Sequence, residues 1–324
     1  MKVLVTGGAG YIGSVVTTQL LESGHEVIVV DNLSHGHKDA VPKGARFVQA
    51  NITDIGSLFS ASDGLEAVLH FASFIAAGES MKQPDMYWQN NTADSLQLLS
   101  AMHKLNIKKL IFSSTAAVYG NPLTLPITET ETTKPTNTYG MTKLAVDMAI
   151  TSYSLAHGLA ATSLRYFNVA GAYGRCGERH PAESHIIPLA LATIAGKRPF
   201  FSIYGDDYPT PDGTCIRDYI HVADLAQAHL LALGKLSPAK HTIYNLGNGN
   251  GFSNKDVIRT IEEVTDKKLP VKIEKRRPGD PARLIASSQK AQAELGWIPA
   301  RPALQTMVAD AWKFYQAQIS NPPQ

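Results

Sequence analysis

Cysteine is nearly absent: Cys176 and Cys215 are the only two in 324 residues, and neither stands in a Cys-x-x-Cys spacing. That excludes a disulfide framework, and the pair reads as two reduced thiols of an intracellular protein. Long apolar runs are missing as well. None approaches the roughly 18 residues that a membrane span needs. Met1–Gly7 leads straight into a glycine turn, which leaves no room for the apolar core and cleavage site of a signal peptide. Net charge is small, with 30 basic against 28 acidic residues for a formal +2. Such a balance gives no footprint for nucleic acid or for an anionic membrane. The expectation is a soluble, cytoplasmic protein without nucleic-acid or membrane partners and without a metal. No internal repeat and no low-complexity segment interrupts the chain. What is abundant is apolar side chain, 44 % of the total, enough for a sizeable core and for two domains.

The first half alternates short β-branched runs with longer amphipathic ones. Lys2–Thr6, Glu26–Asp31, Arg46–Gln49, Ala67–Phe71, Lys109–Ser113 and Ala161–Tyr166 read as buried parallel strands, and Tyr11–Glu22, Ile55–Ser60, Met86–Leu105 and Tyr139–Ala156 as helices. Alternation of this kind implies right-handed βαβ units and an α/β, Rossmann-type doubly wound parallel sheet. After about Ala170, Gly, Pro and charge become denser, which predicts a smaller α/β, substrate-binding lobe. Residues 1–170 are expected to form the dinucleotide-binding domain and 171–324 the second lobe. A segment over about 219–247 returns to the first domain, beginning with a strand and helix at Tyr219–Leu233. Asn321–Gln324 reads as a frayed tail.

The strand Lys2–Thr6 runs into Gly7-Gly8-Ala9-Gly10-Tyr11-Ile12-Gly13 and then a helix. A pyrophosphate needs bare backbone N–H groups at a helix N-terminus, and side chains at the turn would hold the phosphates off. Eighteen residues after Gly13 the second strand ends in Asp31, placed for the adenosine ribose hydroxyls. A carboxylate there repels a 2′-phosphate, so the expected cofactor is NAD rather than NADP. Further on, Tyr139-Gly140-Met141-Thr142-Lys143 opens a helix, and residues four apart share a face. A phenol with a reference pKa near 10 is a poor base at neutral pH. Bringing it to about 7 takes roughly 4 kcal/mol of preferential stabilisation of the phenolate, which a lysine ammonium and a positive nicotinamide ring can supply in a cleft. Phe112-Ser113-Ser114-Thr115 ends a central strand at the crevice, so Thr115 is placed to hydrogen-bond the substrate hydroxyl that Tyr139 deprotonates.

GGAGYIG, Asp31-Asn32, SSTAAVYG, YGMTK and RYFNVAGA (165–172) together resemble the extended short-chain dehydrogenase/reductase superfamily. The stretch from Gly205 to Asp224, Tyr244-Asn245-Leu246-Gly247 and Arg276-Arg277-Pro278-Gly279-Asp280 narrow the resemblance to its UDP-glucose 4-epimerase family, from Met1 to about Trp297. The resemblance implies Tyr139 as base and acid, with Lys143 lowering its pKa and holding the nicotinamide ribose, and Thr115 where many members carry serine. It places Gly7, Gly10, Tyr11, Ile12, Gly13, Asp31, Asn32, Asn51, Ile52, Phe71, Ala72, Asn90 and Phe167 around NAD. Asn168 and Arg217 are implied at the UDP phosphates or sugar, Ser202, Ile203 and Tyr204 at the uridine, and Arg277 and Asp280 at phosphate and ribose. The arginines make sense independently, since a diphosphate suits a planar bidentate donor. The implied substrates are UDP-glucose and UDP-galactose, and the implied assembly is a homodimer through a helix pair.

Four departures from the family pattern stand out. Asn51-Ile52 replaces an Asp beside the adenine, where an amide oxygen can still accept from the adenine amine. Ser73-Phe74-Ile75 lacks a lysine found in some members. Ser184-His185 stands where some members pair asparagines near the diphosphate, so His185 is either a donor there or a packing residue. Leu284 occupies the position that gates the sugar pocket, unless it is simply a core residue of the second lobe. Dehydratases and decarboxylases of this fold place an acid after the Ser-Thr, whereas Thr115-Ala116-Ala117 offers two methyl groups that cannot move a proton. Other nucleotide-sugar epimerases, acting on N-acetylhexosamines or uronates, remain alternatives. A non-catalytic NAD sensor would have no use for Thr115, Tyr139 and Lys143 together.

Overall fold

The computed structural model of the chain describes residues 1–180, 183–277 and 280–320. Its centre is a seven-stranded sheet of β1 (Lys2–Thr6), β2 (Glu26–Asp31), β3 (Arg46–Gln49), β4 (Ala67–His70), β5 (Lys109–Thr115), β6 (Ala160–Tyr166) and β7 (His241–Leu246). The spatial order is β7-β6-β5-β4-β1-β2-β3, and every pairing is parallel. Period-2 alternation sends Val3 and Val5 to one face and Leu4 to the other. Both faces are covered, so the central strands β1, β2 and β4 are largely apolar rather than amphipathic. On the first face lie α1 (Tyr11–Glu22) and a later helix, Val222–Gly234, with Val15, Val16, Leu20, Leu225 and Ala226 against the sheet. On the second lie α2 (Asp94–Lys104) and α3 (Thr138–His157), through Leu98, Met102, Val146 and Ile150. Strand order reverses on either side of β1, and a crevice opens there at the strand C-termini.

The second lobe has its own core. α4 (Ile186–Ile194), α5 (Val222–Gly234), α6 (Asn254–Thr265) and α7 (Leu304–Ser320) complete the longer helices, and α4, α6 and α7 enclose Leu191, Phe201, Ile203, Ile261 and Met307. Ser253 caps α6 and forms a capping box with Asp256. Small pairings stitch the lobe together: Phe201–Tyr204 with Val271–Glu274, and Ile216–Arg217 between Phe252–Ser253 and Arg283–Leu284. The buried Asp218 carboxylate accepts N–H bonds from Asn248, Gly249 and Ala286, drawing two distant chain segments onto one anion.

Several expected boundaries move. β4 stops at His70 instead of Phe71, whereas β5 continues past Ser113 to Thr115 because Ser114 and Thr115 still pair with Arg165 and Tyr166. Ile55–Ser60 shortens to a single turn, Ile55–Leu58. Met86–Leu105 is not one α-helix: Pro84–Tyr87 passes into a π-helical turn, Trp88–Ala93, before α2. β7 was not anticipated as a separate strand within the returning segment. No helix among the described residues is long and apolar enough to cross a membrane.

Candidate active site

The crevice is a single cavity at the C-terminal ends of β1, β2, β4 and β5. At one end lies the turn between β1 and α1. A Cβ on Gly7, held at φ +73°, would come 2.5 Å from the backbone nitrogen of Ala72, and one on Gly13 would meet the Gly7 carbonyl oxygen at 2.2 Å. Those glycines let strand, turn and helix close up. Gly10 is the N-cap of α1, and no side chain caps that helix, so its first N–H groups face the cavity unclaimed. Asp31 receives N–H bonds from Ala9 at 3.0 Å and Leu33 at 2.8 Å, and burial pushes its carboxyl upward against them. Each oxygen keeps a second lone pair, and Asp31 lines the cavity. Asn32 Nδ2 donates to Asn51 Oδ1 at 3.0 Å, and both residues line the same end with Ile52. A glycine cradle, an uncapped helix N-terminus and a fixed carboxylate suit a dinucleotide pyrophosphate and an unphosphorylated ribose. The residues present fit NAD.

The other end holds the reactive groups. Asn137 caps α3 by accepting from the Gly140 N–H, so Tyr139 and Lys143 sit in its first turns. Lys143, 2 % exposed, donates from Nζ to the Ser113 carbonyl at 2.9 Å and lies 4.9 Å from the Phe112 ring centroid. Burial drives its pKa down to about 7, with Asp147 pulling the other way. Tyr139 is only partly covered because its phenol forms the cavity wall, yet burial pushes it up to about 12, against a hydrogen bond with Thr115 that lowers it. The expected lowering of the phenol by Lys143 is therefore not built into the cavity as it stands. Thr115 Oγ1 also accepts from the Ala117 N–H at 3.1 Å, which fixes its hydroxyl at the end of β5.

The sequence pattern of the NAD dependent epimerase/dehydratase family matches residues 3–247. The chain belongs to this family. A UDP-glucose 4-epimerase of Corynebacterium glutamicum is 53 % identical over 98 % of this chain and 96 % of its own length. A crystal structure of a UDP-glucose 4-epimerase, 46 % identical, superposes with a TM-score of 0.94 over the whole of both chains. Another, from Bifidobacterium longum in complex with NAD+ and UDP, is 36 % identical and gives 0.92 over 99 % of each.

Of the residues expected around the cofactor and sugar, Gly7, Gly10, Tyr11, Ile12, Gly13, Asp31, Asn32, Asn51 and Ile52 line this one cavity. So do Phe71, Ala72, Asn90, Thr115, Tyr139, Lys143, Phe167, Asn168 and His185. Ser202, Ile203, Tyr204, Arg217, Arg277, Asp280 and Leu284 are not among its lining residues. The alternation of its strand turns the Ile203 side chain into the second-lobe core. The others gather in the second lobe. The Arg277 guanidinium lies 3.8 Å from the Tyr204 ring centroid, and Arg217 pairs with Asp280 at 3.0 Å while donating to the Ile216 and Pro281 carbonyls. Pro278 and Gly279 of that motif lie outside the described residues. Leu284 pairs with Arg217 in register and packs, with Phe167, on the cluster of Ala116, Val118 and Tyr119.

Sequence reasoning missed two arrangements that support the family's Tyr–Lys pair. Asp147 continues the stripe one turn past Lys143. Its Oδ2 accepts from Arg165 at 2.9 and 3.1 Å and from the Ser114 hydroxyl at 3.1 Å, fastening α3 to β5 and β6. The i, i+4, i+8 spacing of Tyr139, Lys143 and Asp147 was the available signal. The π-helical turn is the second. Asn90 lines the cavity while Asn91 exchanges hydrogen bonds with the Phe74 backbone and reaches Thr142 of α3. No α-periodic pattern announces such a register shift. Ser73, Phe74, Glu178 and His180 also line the cavity without having been singled out as binding residues. Glu178 and Glu183 outweigh burial and hold the His180 and His185 imidazoles above their ordinary value.

Proposed function

We propose that this chain is a UDP-glucose 4-epimerase, interconverting UDP-galactose and UDP-glucose through a transient 4-keto sugar. The observation that carries the reading is the meeting of Thr115, Tyr139 and Lys143 with the glycine turn and Asp31 in one cavity. It stands in a chain 53 % identical, nearly end to end, to a UDP-glucose 4-epimerase. When bound, NAD supplies reversible acceptance of the hydride from sugar C4. Tyr139 takes the proton of the C4 hydroxyl, which Thr115 orients, and gives it back after the ketone has turned over. Lys143 holds positive charge behind the phenol. Asn168 and His185 face the sugar nucleotide from the cavity wall, and Ser202, Tyr204, Arg217, Arg277 and Asp280 form its nucleotide end. Residues 1–170 with the returning segment 219–247 serve as the cofactor domain, and the rest of 171–324 as the sugar-nucleotide lobe. Ala116 and Ala117 leave no acid beside Thr115 for elimination, which argues against a dehydratase. Purified protein should convert UDP-galactose to UDP-glucose without added cofactor and release NAD on denaturation. An NAD-loaded preparation without that conversion would overturn the assignment.

Leu284 sets the sugar range in this reading. An intermediate, flexible side chain at the gate gives strong activity on UDP-glucose and UDP-galactose and weaker activity on UDP-N-acetylglucosamine. Leu284→Tyr should lower the N-acetylated activity by at least about tenfold, the lower end of what one bulky contact discriminates, and spare the plain hexoses. Equal loss of both activities would return Leu284 to the core beside Tyr119.

The chain also assembles as a homodimer in this proposal. Met141, Met148 and Leu155 recur every seven residues along α3, and the last two are 65 % and 77 % exposed. Trp88 and Leu96 are exposed on the neighbouring helical segment. An uncovered apolar seam of this kind suits a second copy of itself. Light scattering should give twice the chain mass for the wild type and the single chain mass for Met148→Glu. A wild-type monomer would refute the seam.

A further inference from the structure

Between a short hairpin, Ala172–Tyr173 with Cys176–Gly177, and α4, four side chains with metal-ligand chemistry fall within eight positions: Glu178, His180, Glu183 and His185. Their donor atoms all lie within 4.8 Å of one another. Glu178 Oε1 is 3.2 Å from His180 Nδ1 and 2.7 Å from His185 Nδ1, and Glu183 Oε2 is 3.6 Å from His180 Nδ1. Ligands about 2.0–2.1 Å from a tetrahedral zinc ion stand roughly 3.3 Å apart along each edge. The three measured edges bracket that value.

A purely ionic cluster explains this arrangement less well. His180 Nδ1 is buried within reach of two carboxylate oxygens, yet it makes no aligned hydrogen bond with either. Both imidazoles turn the same nitrogen inward, and their rings, 5.4 Å apart at 52°, are not stacked. The carboxylate of Glu183 is also oriented from behind. Its Oε1 receives the N–H groups of Ser184 and His185, each at 2.7 Å, and lies 3.2 Å from His185 Nδ1, while Oε2 faces His180 Nδ1. Metal ligands commonly have such outer-shell partners.

We propose that Glu178, His180, Glu183 and His185 bind one zinc-type divalent cation. Two imidazoles and two carboxylates suit zinc better than calcium or magnesium, which prefer oxygen alone, and better than metals that select thiolates. Two carboxylates also balance the ion's charge. Four protein ligands make a closed, structural centre, with no position left for chemistry. Its place in the fold says what it secures. Arg179, between the ligands, pairs with Asp39 at 3.0 Å and reaches Gln318 of α7, and its carbonyl meets His37 Nε2 at 2.8 Å. The cation would clamp the wall of the cavity to the loop after β2 on one side and to the C-terminal helix on the other. This inference goes beyond the epimerase reading and does not depend on it.

The test is metal content. The dinucleotide-loaded protein is incubated with zinc chloride, gel-filtered and assayed by mass spectrometry for zinc. The expected result is about one zinc per chain, removable by a chelator with a lower unfolding temperature. His180→Ala, and separately Glu183→Gln, should retain under about a tenth as much zinc. Their circular dichroism spectra and cooperative unfolding report whether they remain folded. Background zinc in the wild type overturns the proposal, whatever the variants do. So does a folded variant that retains as much zinc as wild type, or a wild type that binds calcium in preference.

Discussion

Tyr139→Phe is expected to fold, to keep its dinucleotide and to lose about a thousandfold in turnover. Positioned proton transfer contributes roughly two to four powers of ten, and the groups nearest the Tyr–Lys pair are already engaged. Thr115 is engaged by the Ala117 N–H, Lys143 by the Ser113 carbonyl, and His70 is pinned between Thr6 and Ser95 with burial holding it down to about 3. Little stability should be lost, because the ring stays and only a hydroxyl on the cavity wall goes. Turnover within a few-fold of wild type, in protein of unchanged NAD content, would remove Tyr139 from the proton path.

Lys143→Met should damage activity on a comparable scale at neutral pH, with a different signature. The phenol of Tyr139 is raised by burial to about 12, so the reaction needs every nearby source of positive charge to make the phenolate accessible. Without the ammonium, the acidic limb of the rate–pH profile should move to higher pH, and alkaline buffer should restore part of the loss. Stability should move the other way. The folded pKa of Lys143 is depressed to about 7 from an ordinary 10.5, so the unfolded chain binds more protons between those values. Wild-type stability therefore rises with pH across that window, and the burden of the buried cation is complete below about 7. Methionine removes that burden. The variant's melting temperature should exceed the wild type's most clearly below pH 7, with the gap closing toward pH 10.5. A rate profile of unchanged shape would show that Lys143 does not tune the phenol. A melting difference independent of pH would show that the ammonium is not the source of the strain.

The parts of this molecule that obey local rules were legible from residue order. Short, continuous β-branched runs gave β1, β2 and β3 their bounds and separated strands from the longer amphipathic helices. The glycine turn and Asp31 were legible because backbone geometry at a pyrophosphate leaves few alternatives. Tyr139 and Lys143 were legible because four residues make one helical turn. What stayed hidden depends on partners distant in sequence. Nothing local marks Arg165 as the residue that will meet Asp147, or Ile203 as facing a core assembled from α4, α6 and α7. The π-helical turn breaks the very periodicity by which a helix is recognised. The nucleotide-end residues were read from resemblance, and their distance from the Tyr139 cavity reflects a second lobe whose internal pairs, Arg217–Asp280 and Arg277–Tyr204, satisfy each other.

The late return of β7 has a consequence for the chain during its synthesis. β6 ends at Tyr166 and its outer neighbour begins only at His241, so some 75 residues must be polymerised before that edge is covered. At about 5–20 residues per second, the row of unpaired N–H and C=O groups on β6 waits for roughly 4–15 seconds. All seven residues of β6 are buried in the finished protein, so the waiting strand shows water Ala160, Ala161, Leu164 and Tyr166 as well as unpaired backbone groups, the kind of edge that invites a neighbouring chain. Slower translation through the second lobe should therefore lower the soluble yield without altering the protein that survives.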